Sequence, residues 1–254
     1  MSQPHAVILG AGPVGRAVAR TLAQRGERVQ IVSRRGVEGL PAPVESIRAD
    51  ITDLEEAKRL GEQATHVYNC VNPPYTAWPR DWPPLLAGVL ACCEQRQAKL
   101  IVMSNLYVYG RTHGKPIHED MLHAPHTRKG RLRESIDAQA MEQHVRGRHP
   151  VTILRASDFV GPGVVSMMVT TVWDRLAKGL RPQFLGNPDL LHTYTYIDDI
   201  GRALVALGDT DAADGREWLC PSPTTRRLER SLPMRARALG ARRRCKSCPT
   251  GYWP

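Results

Sequence analysis

The stretch from His5 to Gly26, HAVILGAGPVGRAVARTLAQRG, decides the fold. A short apolar run, HAVIL, leads into Gly10-Ala11-Gly12-Pro13-Val14-Gly15, which fits the spacing G-x-G-x-x-G. Beyond it Val14, Val18 and Leu22 recur every fourth residue, the apolar stripe of a helix, and Gly26 suits its stop. A strand, then a glycine turn, then a helix is the context in which this spacing binds a dinucleotide. The glycines let the chain turn tightly and come close to a pyrophosphate, which sits on the positive end of the helix. Gly10, Gly12, Pro13, Val14 and Gly15 are the expected contacts. The plainer alternative is a tight turn with no ligand; the flanking strand and helix favour the ligand.

Downstream the pattern repeats. RVQIVS, VESIRAD, THVYNCV, KLIVMS and VTILRAS are short apolar runs, and between them lie helical patterns. TDLEEAKRLGEQ opens on Thr52 or Asp53 with acids in its first turn. DWPPLLAGVLACCEQRQA carries prolines near its start, where a helix tolerates them. TRKGRLRESIDAQAMEQHVRG aligns Leu132, Ile136 and Ala140 on one face. Strands alternating with amphipathic helices predict an α/β fold, a Rossmann doubly wound parallel sheet covered on both faces. The expected organisation is a binding domain over 1–160 with returning segments, a small substrate region over 161–223, and a basic, disordered tail over 224–254.

Charge and composition narrow the classes. The net charge is +10, but residues 224–254 hold eight Arg and one Lys against one Glu. The body is therefore near neutral, so nucleic acid is an expected partner at most of the tail. No apolar run approaches the roughly 18 residues of a membrane span. The N-terminus lacks the basic region of a signal peptide, and a cytoplasmic protein with free thiols is expected. Cys245 and Cys248 form one C-x-x-C without further ligands, so no metal is expected.

The end of the second strand bears on which dinucleotide binds. An NAD site usually places an acid there for the ribose 2′-OH. Here Ser33, Arg34 and Arg35 occupy that place. Guanidinium groups bind a 2′-phosphate that a carboxylate would repel, so NADP(H) is favoured over NAD(H). The alternative is two solvated arginines in a surface loop.

Several segments, in order, resemble the extended or atypical short-chain dehydrogenase/reductases of the NAD-dependent epimerase/dehydratase family. The glycine turn is one. RADITD (48–53), YNCVNPPY (68–75), SNLYVYG (104–110), LRASDFVGPG (154–163) and TYTYIDDIGRAL (193–204) are the others. The resemblance implies that Asp50 and Ile51 contact adenine and that Val71 and Asn72 pass along the cofactor. It implies an oxidoreductase or epimerase acting on a carbonyl or hydroxyl of a small molecule, for which a nucleotide sugar is one candidate, and allows a dimer. Asp198 and Asp199 match a helix-capping pair.

One departure concerns the chemistry. Anchoring on Val108-Tyr109-Gly110 puts the family's catalytic Ser/Thr at Asn105, next to Ser104. The family's P-x-x-x-Y-G-x-x-K aligns with Pro125 to Arg133, placing Lys129 at the tyrosine and Arg133 at the lysine. Spacing i, i+4 keeps both on one helix face. Lys129 could then serve as acid or base, Arg133 could hold the nicotinamide ribose but not give up a proton, and Asn105 could hold a substrate oxygen. Tyr107 and Tyr109 are substitute acids. Tyr75, Trp78 and Trp82 read as a pocket wall or as core, and His113 and His192 as polar pocket groups. Two solvated cations on a basic helix is the alternative for Lys129 and Arg133. A non-catalytic NADP(H)-binding sensor or scaffold is the alternative for the whole chain.

Overall fold

Strand β1 (His5–Leu9) is buried along its whole length, and its residues alternate between two covered faces. Val7 and Leu9 join a core with Trp78, Trp82, Leu86 and Ile136, while the Cγ2 of Ile8 faces Gly15 on the opposite side. That two-sided burial is the mark of a parallel sheet under two helical layers. The structure, a computed structural model, describes residues 5–166, 169–183, 191–222 and 224–227.

Around β1 the strands β2 (Arg28–Ser33), β3 (Val44–Arg48), β4 (His66–Asn69), β5 (Lys99–Asn105), β6 (Val151–Ala156) and β9 (Glu217–Leu219) form a seven-stranded sheet in the order β3-β2-β1-β4-β5-β6-β9. Every pairing in it is parallel. The strand order reverses between β1 and β4, and in open α/β sheets ligands bind beyond the carboxyl ends of the strands at such a point. Helix α1 (Pro13–Gln24) packs on α6 (Ile197–Gly208), and α2 (Leu54–Gly61), α3 (Trp78–Glu94) and α4 (Arg128–Val145) pack in succession. The doubly wound Rossmann fold expected from the sequence is the fold of this chain.

Local chemistry explains the helix ends. Asp53, not Thr52, caps α2, its Oδ1 accepting from the amides of Glu55 and Glu56 at 3.1 and 3.3 Å. Thr127 caps α4, accepting from the Gly130 amide at 2.9 Å. Asp198 and Asp199 lie in the first turn of α6, Asp198 pairing with Arg20 of α1 at 2.5 Å and Asp199 with Arg202.

The chain divides into two units: Met1–Ser157 with Ile197–Pro221, and Asp158–Tyr196 with Ser222–Pro254. Residues 197–221, expected in a substrate region over 161–223, thus return to the first unit, because α6 covers α1 and β9 extends the parallel sheet. The second unit holds the short helix α5 (Asp174–Ala177) and a small sheet. In that sheet β8 (Leu191–Tyr196) pairs in parallel with β7 (Asp158–Val160) and antiparallel with β10 (Thr224–Arg227). A tail without strand from residue 224 onward is therefore corrected for its first four residues: ladder hydrogen bonds with β8 outweigh a sequence with little strand patterning. Residues 228–254 lie outside the described residues.

Candidate active site

At the glycine turn the fold itself demands two of the three glycines. Gly10 has φ +103°, and a Cβ there would stand 2.8 Å from the Cys70 carbonyl oxygen at the end of β4. A Cβ on Gly15 would lie 1.9 Å from the Gly10 carbonyl oxygen, so α1 could not approach β1 with any larger residue. Gly12 is different. It caps α1 with no side-chain hydrogen bond, and a Cβ there would meet nothing within 4 Å. The packing leaves Gly12 unexplained, whereas a ligand approaching the backbone explains it. Pro13 and Val14 open α1, whose first turn carries no acid. The open backbone cradle and the positive helix end fit a pyrophosphate.

Ser33 ends β2, its hydroxyl enclosed without a partner among the described residues. Arg34 and Arg35 follow in an exposed turn. Arg34 uses its carbonyl, which accepts from Arg48 Nε at 3.2 Å. Asp50 is exposed, and its Oδ1 accepts from the Thr52 amide and hydroxyl at 3.0 and 2.9 Å. Ile51 is buried, its carbonyl so close to Gly88 of α3 that a Cβ there would stand 1.7 Å away. Val71 is half-buried and donates its amide to Asn69 Oδ1 at 3.3 Å, and Asn72 is exposed beside it.

The ends of β4 and β5 bring together what the sequence separates. The Lys129 ammonium, on the exposed first turn of α4, stands 4.8 Å from the centroid of the Tyr75 ring. The Tyr75 hydroxyl is 2.9 Å from that of Tyr107. Asn105 accepts from the Tyr107 amide at 3.0 Å through Oδ1, which starts the short 3-10 turn Tyr107–Tyr109. Trp78 and Trp82 are fully enclosed and belong to the core, whereas Tyr75 is 48% exposed. Of that expected pocket wall, the two indoles are core packing and Tyr75 alone reaches the surface.

Arg133 is 3% exposed, its guanidinium 4.9 Å from the Trp78 ring and 4.4 Å from that of Trp82. Burial lowers its pKa, against the opposing effect of Asp137. The ribose contact expected of Arg133 needs a guanidinium at the surface; here Nε and Nη1 are enclosed and make no hydrogen bond among the described residues, the two indoles of α3 lie over the guanidinium, and Nη1 stands 3.8 Å from Asp137 Oδ1.

Behind this surface lies a buried polar network that motif reading passed over. Arg155, at zero exposure, donates from Nη1 to Asp137 Oδ2 at 2.7 Å, to Ser104 Oγ at 3.0 Å and to the Asn105 carbonyl at 3.1 Å. Its Nε donates to Glu217 Oε2 at 2.8 Å. Burial works against the Arg155 charge, but Asp137 and Glu217 outweigh it and raise its pKa. Ser104, 3% exposed, donates to Asp137 Oδ2 at 2.6 Å. Tyr109, 2% exposed, packs edge-on against His123, and burial raises its pKa. The signals for this network were an arginine inside a mostly apolar strand and an acid one helical turn after Arg133.

Other candidates fall away from this cluster. His192, in the second unit, pairs with Asp158 at 2.8 Å, and His113 sits at φ 53° in a loop. No group of three or more metal-ligating side chains occurs among the described residues, and Cys245 and Cys248 lie outside them. No described helix is long and apolar enough to cross a membrane.

Residues 6–219 match the model of the NAD dependent epimerase/dehydratase family. The chain belongs to that family. No curated protein sequence matches this family member, whereas many solved structures do. MoeE5, solved in complex with UDP-glucose and NAD, is similar at 22% identity and a TM-score of 0.77, covering 94% of this chain and 83% of its own. The UDP-glucuronic acid 4-epimerase of Bacillus cereus, in complex with UDP-glucuronic acid and NAD, is similar at 20% identity and a TM-score of 0.80, covering 94% and 84%. The UDP-glucose 4-epimerase of Thermus thermophilus, complexed with NAD, reaches 18% identity and a TM-score of 0.78, covering 94% and 84%. At these identities the likeness establishes the shared Rossmann fold.

Proposed function

We propose that this chain is an NADP(H)-dependent reductase or epimerase that acts on a carbonyl or hydroxyl of a small molecule, with a nucleotide sugar as the leading substrate class. The observation that carries the reading is the meeting of the Lys129 ammonium, the Tyr75 and Tyr107 hydroxyls and Asn105 beyond β4 and β5. Tyr75 lies on the segment that follows β4, whose first residues, Cys70 and Val71, are the backbone against which Gly10 of the glycine turn packs. Bound in that turn, a nicotinamide cofactor supplies or accepts a hydride. Gly10, Gly12, Pro13, Val14 and Gly15 hold its pyrophosphate, Asp50 and Ile51 its adenine, and Val71 and Asn72 its path along β4. Ser33, Arg34 and Arg35 take a 2′-phosphate, since an exposed guanidinium pair favours that group over a bare ribose. The similar structures named above hold NAD, so the preference for NADP(H) rests on these arginines alone.

In this reading Lys129 and the phenols beside it are the groups available for proton transfer. Asn105, with Oδ1 committed to Tyr107, offers its amide hydrogens to a substrate oxygen. Ser104 and Tyr109 are enclosed and support the site from behind, and Arg133 packs on the Trp78 ring against which Tyr75 stacks. The test is NADPH consumption, or epimer formation, across a panel of carbonyl compounds and sugar nucleotides.

The enclosure of Arg133 by two indoles favours a second reading, a non-catalytic NADP(H)-binding sensor or scaffold. Tight NADPH binding with no turnover of any panel compound would select it.

A further inference from the structure

The motif frame puts an amine where the family has a phenol, and the structure puts a phenol against that amine. We propose that Tyr75, in the loop between β4 and α3, is the proton-transferring residue of this chain, with Tyr107 as its hydrogen-bond partner and Lys129 as its neighbouring charge. The assignment rests on the enzyme reading above.

Position, access and support all favour Tyr75. It follows Val71 by four residues, and the backbone of Cys70 and Val71 is what Gly10 of the cofactor turn touches. Its ring stacks on Trp78 with centroids 5.0 Å apart and planes 19° from parallel. Trp78 is itself immobilised, fully buried and donating from Nε1 to the Pro73 carbonyl at 3.0 Å. The ring is thus held by one face while the side chain remains 48% exposed. Its hydroxyl lies 2.9 Å from that of Tyr107, which is 40% exposed on the turn anchored by Asn105. Tyr109 and Tyr68 are each only 2% exposed and cannot meet a substrate. Arg133 cannot give up a proton. Of the two hydrogen-bonded, exposed phenols beyond β4 and β5, Tyr75 is the one that also has the Lys129 ammonium 4.8 Å from its ring.

In the reducing direction the Tyr75 O–H bond breaks and its proton goes to the substrate carbonyl oxygen, while a dihydronicotinamide held by the glycine turn would supply the hydride that the carbonyl carbon takes. The electron pair stays on the Tyr75 oxygen. There the Tyr107 hydroxyl donates a hydrogen bond, and the Lys129 ammonium lies against the ring that carries the new negative charge. Solvent returns the proton.

Two measurements test this on the full chain. The first is tyrosine acetylation by N-acetylimidazole, read by peptide mass spectrometry with and without saturating NADP+. Protection of Tyr75 by NADP+ is expected, and an unchanged rate overturns its place beside the cofactor and with it the assignment. The second is kinetics of Tyr75→Phe, which keeps the ring on Trp78 and so the fold. A fall in kcat of about 10²–10⁴ with NADPH affinity unchanged is expected. Wild-type turnover that survives Tyr75→Phe overturns the assignment and leaves the enzyme reading standing. A wild type that turns over nothing overturns both.

Discussion

Replacing Arg155 by Met removes the centre of the network on which the site is built, and its cost can be worked from the contacts. Arg155 is fully enclosed and joins Asp137, Ser104, the Asn105 carbonyl and Glu217, so β5, β6, β9 and α4 all lose a tie at once. The two acids do not count equally. The Glu217 side chain is 23% exposed and can rehydrate, so its share is small. The Asp137 side chain is 1% exposed, and its remaining cation, Arg133, stands 3.8 Å away. Stranding a buried charge in this way costs about 3–5 kcal/mol, or a fall in Tm of roughly 6–20 °C for a chain of this size. Glu217→Gln should stay within about 1 kcal/mol. Urea unfolding followed by circular dichroism checks both. Arg155→Met combined with Asp137→Leu should recover much of the loss, because the stranded carboxylate is gone. A single variant within about 1 kcal/mol of wild type, or a double variant no more stable than the single, would show that the Asp137 carboxylate is not stranded by the loss of Arg155.

Further outcomes are expected. Arg34→Glu should weaken NADPH binding by about 1.5–3 kcal/mol, roughly tenfold to a hundredfold, with little effect on NADH; equal calorimetric affinities of the wild type for the two cofactors would remove the basis for the preference. Gly12→Ala should leave Tm almost unchanged, since its Cβ meets nothing within 4 Å, yet weaken NADPH. Gly15→Ala should cost about 1–3 kcal/mol of stability, because its Cβ meets backbone. Lys129→Ala should lower kcat and spare NADPH affinity, whereas a rate equal to wild type would confine Lys129 to the surface. Burial lowers the pKa of His66 below the usual histidine value of 6.5. Below about pH 6.5 the unfolded chain therefore takes up a proton that the folded chain resists, so stability falls with acid. Urea midpoints at pH 5 and 7 should show that slope, and His66→Gln should reduce it.

The fold and the glycine turn were legible in the chain alone. Their signals are local: apolar strands, helical stripes, caps such as Asp53, and glycines whose spacing reports a backbone constraint. Gly10 and Gly15 could be read because no other residue fits beside Cys70 and Gly10. The motif frame likewise located Lys129 and Arg133 on one face of α4. It could not say where their side chains go, which depends on packing between distant elements. Arg133 lies between Trp78 and Trp82, which precede it by 55 and 51 residues. Tyr75 reaches Lys129 of α4 from the loop between β4 and α3, and Arg155, Asp137 and Glu217 meet from three elements. The short β9 and β10 form only because a sheet edge offers them hydrogen bonds. These contacts depend on how strands and helices stack, and residues distant in the chain carry no spacing that records it.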